Sequence, residues 1–116
     1  MGRAILTVKP TLRSMDVDVV RPIEWTAAYT EGGSYDESIA NGITNQSMNM
    51  LGVSSALLVV VTAKTGTITA RLNSATGTAF ELSVGDVVAI AGAGITAIYV
   101  TNSSGSAQTV GMMVAG

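Results

Sequence analysis

The sequence predicts an all-β fold: a two-sheet antiparallel β-sandwich of about eight strands, jelly-roll-like in plan. Three observations point there. Apolar residues recur with period two, and helical spacing is absent. Gly, Ala, Ser and Thr make up 53 of the 116 residues, a mixture that suits pleated strands joined by tight turns. From residue 56 onward, turn signals punctuate the chain every 8–12 residues or so, the spacing of a sandwich or barrel.

Taken in order, Ala4–Val8, Met15–Val20 and Ile23–Thr30 read as strands. In the second of these, Met15, Val17 and Val19 share one face, and Asp16 and Asp18 the other. Pro10 and Pro22 confine their neighbourhoods to strand starts, edges or bends. These first thirty residues either add an edge strand or reach out as an arm to a neighbour. Residues 31–49 are polar and turn-rich and read mostly as loop, with one helical turn at most over Asp36–Ala40. Ala56–Ala63 and Val87–Ala91 are continuous apolar runs, the pattern of strands buried on both faces. Alternation places Ile68, Ala70 and Leu72 inward in one strand, and Phe80, Leu82 and Val84 inward in the next. Ile95–Thr101 is β-branched and carries Tyr99; in Thr109–Val114 the residues Val110, Met112 and Val114 point one way. Phe80 and Tyr99 read as core. Lys64-Thr65-Gly66, Gly92-Ala93-Gly94 and Asn102–Ser106 read as hairpin turns, Asn73–Gly77 and Val84-Gly85-Asp86 as further reversals. Residues 1–116 form a single domain, since this length supports one core and hardly two.

Composition excludes several functions. Charged residues are 12% of the chain, against about 25% in an ordinary soluble domain, and the net charge is −2. No basic cluster exists to neutralise phosphates, so no nucleic acid is expected as a partner. His and Cys are both absent, which removes the imidazole base, the thiolate nucleophile, the usual zinc ligands and any disulfide. Neither Lys9 nor Lys64 has a Ser three residues before it, so the Ser–Lys spacing is missing. Asp16 with Asp18 reads as a solvated or edge-protecting face rather than an acid–base pair. Gly92-Ala93-Gly94-Ile95-Thr96-Ala97 matches a dinucleotide fingerprint, but a strand sequence follows it, and no acidic residue occurs after Asp86. The chain is therefore read as no enzyme, with no catalytic residue, no metal and no cofactor. Asn45-Gln46-Ser47 and Asn102-Ser103-Ser104 are sequons, read as chance matches in loops. No signal peptide is legible, and the longest apolar run, Ala56–Val61, is far below the ~18 residues of a membrane helix, so no membrane partner is expected.

A surface this poor in charge suits a protein whose faces become interfaces, because interface cores are depleted in charge. The chain is accordingly expected to be a homo-oligomer. Aromatics are only 4% of the residues, and Trp25, Tyr29 and Tyr35 are the interface candidates among them.

Phe80-Glu81-Leu82-Ser83-Val84-Gly85-Asp86-Val87-Val88, followed by Ile98-Tyr99-Val100-Thr101-Asn102-Ser103-Ser104-Gly105 and a final Gln108-Thr109-Val110 strand, resembles small virion proteins of tailed bacteriophages. The resemblance spans about residues 56–116 and is one of pattern. It implies a capsid decoration (cement) protein, jelly-roll-like and commonly trimeric, that binds the major capsid protein and stabilises the head in the virion. The alternative reading is a carbohydrate- or receptor-binding module of a phage tail or cell-surface protein, with Trp25 or Tyr35 supplying an aromatic platform.

Overall fold

The computed structural model describes residues 2–8, 11–13, 18–20 and 23–116, with side chains at Ile5 and over 29–116 apart from Ala93. Every regular element among the described residues is a strand. β1 (Gly2–Val8), β2 (Thr11–Arg13), β3 (Asp18–Val20) and β4 (Ile23–Tyr29) come first. β5 (Gly32–Ile39), β6 (Gln46–Ser47), β7 (Ala56–Ala63) and β8 (Ile68–Leu72) follow. β9 (Ala79–Leu82), β10 (Val87–Ile95), β11 (Ile98–Thr101) and β12 (Gln108–Ala115) complete the chain.

Eight of these strands build the sandwich. Sheet I has the order β10-β7-β12-β5 and sheet II the order β6-β11-β8-β9, and every pairing is antiparallel. Successive strands alternate between the layers, except that β8 and β9 form a hairpin within sheet II. Eight strands in two four-stranded sheets with this order make a jelly roll. The architecture expected from the sequence is the one observed.

Among the described residues of the first thirty, none joins either sheet. β1 pairs with β4 and β2 with β3, and the two pairings share one register: Val8 lies opposite Ile23, Thr11 opposite Val20. The β1–β4 pair is an antiparallel ribbon, and β2–β3 a second, shorter one; Pro10 and Pro22 lie outside the described residues. Met15, Asp16 and Val17, read as part of a strand, lie outside the described residues; Asp18 is in β3.

The core sits between the sheets. Val59 and Val61 of β7 and Val110, Met112 and Val114 of β12 meet Ile68 and Ala70 of β8 and Ile98 and Val100 of β11, all of them buried. Their alternation is the period-two pattern of the sequence, now resolved into faces. Where turns follow, small polar groups hold them. Asn73 adopts a positive φ of 63°, a conformation that Asn tolerates better than most residues. Its amide donates to the Gly94 carbonyl at 2.9 Å and its Oδ1 accepts from Thr96 N at 2.8 Å. Asn102 is fully buried and fully satisfied: its amide donates to the carbonyls of Ile39 and Ser106, each at 2.8 Å, while Oδ1 accepts from the backbone and hydroxyl of Ser104.

Several local expectations are corrected. The supposed loop over residues 31–49 contains β5, an eight-residue strand on the edge of sheet I, because β12 supplies a full ladder of partners that its polar sequence does not advertise. The stretch 36–40 has no helical turn. Val84 is exposed, since β9 stops at Leu82. Tyr99 points away from the core that Ile98 and Val100 enter. The glycines of 92–94 make no hairpin: β10 continues to Ile95 through a register shift, so Ile95 belongs to β10 and not to the next strand. Lys64–Gly66 and Asn102–Ser106 likewise carry the chain from one sheet to the other.

Two stability effects are expected. Ile98→Ala empties a fully buried site and lowers the unfolding free energy by about 2–5 kcal/mol, whereas Ile98→Val costs only about 0.5–1.5. Asn102→Ala removes the buried amide's bonds to the Ile39 and Ser106 carbonyls and costs about 1–3 kcal/mol. Urea denaturation midpoints check both.

Candidate interaction surface

The two sheets present opposite chemistry to solvent. On the outer face of sheet II, Ser47, Tyr99, Arg71, Thr101, Thr69 and Glu81 alternate with the core residues. The outer face of sheet I is different. Register aligns Ala89, Val60 and Met113 in one row across β10, β7 and β12, and Ala91, Leu58 and Ala115 in the next. Val87 and Met113 are 55% and 46% exposed. No charged residue lies on β7, β10 or β12. Of the two apolar runs read as buried on both faces, β7 is so at Leu58, which lies buried with Ala115 beneath Tyr29, while β10 is buried on one face only. β10 is an edge strand, and Val87, Ala89 and Ala91 are exposed.

Charge returns only at one corner of this face. Lys64 Nζ bonds Asp36 Oδ1 at 2.8 Å and Oδ2 at 2.9 Å, with both side chains about half exposed. The pair lies across β12 at Gly111, where a β-carbon would stand 2.9 Å from Lys64 Cε. Glycine at 111 lets the ion pair lie flat on the sheet. Between this corner and Met113 runs a shallow depression floored by Val60, Thr62 and Gly111. At the other end a second hollow lies between Ile5, Tyr29, Leu58, Met113 and Ala115.

The three aromatic candidates do not come together. Trp25 lies opposite Leu6 in the β1–β4 ribbon, and its side chain lies outside the described residues. Tyr29, at the root of the ribbon, packs on Leu58 and Ala115, so it touches the outer face of sheet I. Tyr35 faces the interior from β5, packs on the core, and donates its hydroxyl to the Asn49 carbonyl at 2.7 Å. Burial, and then the neighbouring Glu37 carboxylate, push this phenol up to about 12. Sequence reasoning missed Val60, Val87, Ala89 and Met113. For the last three the signal was the run of residues 87–116 without a charge, which leaves any outward-facing position on its strands uncharged; for Val60 it was the uncharged run Ala56–Ala63.

The sequons divide on geometry. Asn102 is buried with its amide nitrogen committed to two carbonyls, which leaves no room for a glycan. Asn45 is half-buried, and its Oδ1 is bonded to the Thr101 hydroxyl at 3.2 Å. Among the described residues, no helix is long and apolar enough to cross a membrane, and no group of three or more acidic residues could hold a metal ion.

No family model and no curated protein matches the chain. A solved structure similar to it is that of an ethanolamine utilization protein Q from Salmonella typhimurium LT2, with a TM-score of 0.44 and 10% identity over 97% of both chains. No comparison points to a virion component, and the reading as a phage capsid decoration protein is set aside. At this level of likeness the neighbour's own role is not carried over either. The pattern behind the phage reading has a local explanation. The Val-Gly-Asp stretch is a turn in which the Asp86 carboxylate accepts from Ser83 N at 2.9 Å, and Asn102 in the Ile-Tyr-Val-Thr-Asn stretch caps a crossing loop. Any β-sandwich can use both. The virion location and the major capsid protein as partner, which rested on that reading, are set aside with it.

A pH dependence follows from Tyr35. Its folded-state value lies above the usual 10, so the unfolded chain releases this proton first as pH rises. Stability is fully present below about pH 10 and falls as pH climbs toward about 12. Tyr35→Phe flattens that part of the fall, as read from urea midpoints across the alkaline range.

Proposed function

We propose that this protein is a non-catalytic structural module that works by associating with copies of itself through sheet I. The observation that carries the reading is the contrast between the two sheets: one outer face polar and charged, the other with an apolar stretch open to solvent at Val87, Ala89, Val60 and Met113. Exposed contiguous apolar faces on small domains mark contact surfaces or aggregation liabilities. Here the face is framed by an ion pair at one corner and by the ribbon root at the other. The absence of His and Cys from the sequence supports a role without chemistry at a catalytic centre. A jelly roll by itself assigns no function, since the fold hosts many.

The test is the solution mass by light scattering across a range of concentrations. The wild type is expected as an oligomer that dissociates on dilution. Met113→Lys places a charge in the middle of the outer face and is expected to weaken association by at least about tenfold, with the circular dichroism spectrum and melting temperature retained. A wild type that stays at 11.8 kDa throughout removes the proposal.

A further inference from the structure

The four edges of the two sheets are not alike. β5, the edge of sheet I beside β12, carries Asp36 and Glu37, so pairing it with a copy of itself would set acidic residues close together. β6 is two residues long. β9 is four residues long and carries Glu81. These are the ordinary ways of blunting an edge. β10 has none of them. It runs nine residues from Val87 to Ile95 with no charge and no proline, and its length from Val87 to Ala91 is regular.

The direction of its backbone groups can be worked out. Ala63 N donates to Asp86 O at 3.0 Å, and Lys64 N donates to Thr109 O at 3.0 Å. Antiparallel hydrogen-bonded pairs recur every second residue. Val61 and Val59 therefore bond toward β10, through Val88 and Ile90, while Val60 and Thr62 bond toward β12. That leaves the N–H and C=O groups of Val87, Ala89 and Ala91 facing outward. Among the described residues, none of these six groups has a backbone partner. On the core side of the same edge, Val88 and Ile90 are only half-buried.

We infer that β10 pairs antiparallel with β10 of a second copy, about a two-fold axis at Ala89. An edge strand is complementary to itself under such an axis. In this register Ala89 faces Ala89 of the copy, and Val87 faces Ala91. The three outward residues of each strand form about six N–H···O bonds. Val88 lies beside Ile90 of the copy, which covers the half-buried core flank. Asp86, the nearest charge, falls opposite Gly92, so no like charges meet. Sheet I becomes one eight-stranded sheet across two protomers. This rests on the self-association proposed above and adds a second contact to it, since edge pairing joins the outer faces of the two copies into one surface and leaves Val60 and Met113 open on it.

The experiment compares the wild type with Ala89→Pro and Ala89→Val by light scattering across a range of concentrations. Proline is tolerated on edge strands where the N–H faces solvent, so Ala89→Pro should fold and lose only the outward donor. The wild type is expected as a dimer or an even-numbered oligomer. Ala89→Pro is expected to dissociate at least about tenfold more readily, with an unchanged β spectrum, while Ala89→Val, which keeps the N–H, stays associated. Should Ala89→Pro fail to fold, amide exchange of the wild type decides: Val87, Ala89 and Ala91 must be protected at high concentration and lose that protection on dilution, while Val88 and Ile90 stay protected at both. A folded Ala89→Pro that associates like the wild type overturns the edge pairing and leaves self-association standing, as does a trimer. A wild type that is monomeric throughout overturns both.

Discussion

Interdigitation of two dry sheet faces is the constraint on which the rest of the molecule depends. The chain has no cysteine and few charges, so burial of apolar surface is its one large source of stability. Val59, Val61, Val110 and Val114 from one layer close on Ile68, Ile98 and Val100 from the other, each with almost no solvent access. β-Branched side chains are stiff and stand out from a pleated sheet, so they fill such a space with little loss of rotamer freedom. The polar groups that must enter, Asn102 and Gln108, come with full sets of partners. Gln108 accepts from the Thr65 hydroxyl at 2.6 Å and donates to the Ser104 and Ser106 hydroxyls.

Much of this was legible in the sequence, and the limit is instructive. Alternation identified the inward faces of β8 and β12 residue by residue, because period two is a direct imprint of one-sided burial. The jelly-roll character and the total of about eight strands also hold, although two of the eight, β5 and β6, lie in the stretch read as loop. What alternation cannot convey is the sheet to which the next strand belongs. Lys64-Thr65-Gly66 and Asn102–Ser106 have the residues of a tight reversal, and each does reverse the chain. Yet each passes it to the opposite layer. β5 was missed for a related reason. Its ladder is with β12, whose sequence lies some seventy positions away, and its own residues are those of an exposed edge.

The same limit governed the surface. An apolar run can mean burial on two faces or burial on one with an apolar face left open, and only what packs on the outer face separates the two. On β7 Tyr29 covers Leu58, while Val87, Ala89 and Ala91 of β10 stay exposed. From the run of residues alone they look the same. The aromatic residues were a poor guide, because an aromatic in a thin sandwich serves the core or its rim first. Tyr35 illustrates this, with its ring on the core and its hydroxyl spent on Asn49. Small aliphatic side chains in register, rather than the rare rings, make up the distinctive surface.

β12 is the last strand of the sandwich in chain order, and it lies between β5 and β7. That has a consequence for how the molecule is made. Until residues 108–115 have left the ribosome, β5 has no ladder at all and β7 lacks one of its two. Sheet I cannot be completed before β12 emerges, because its β5–β12 pairing joins residues some seventy positions apart. Folding is therefore expected to be late and slow, as for other topologies dominated by distant pairings. In the interval the nascent chain displays uncharged strands with open edges, the condition under which chains stick to one another. A holding chaperone, or simply a low local concentration of unfinished chains, would matter more to the yield of this protein than its final stability.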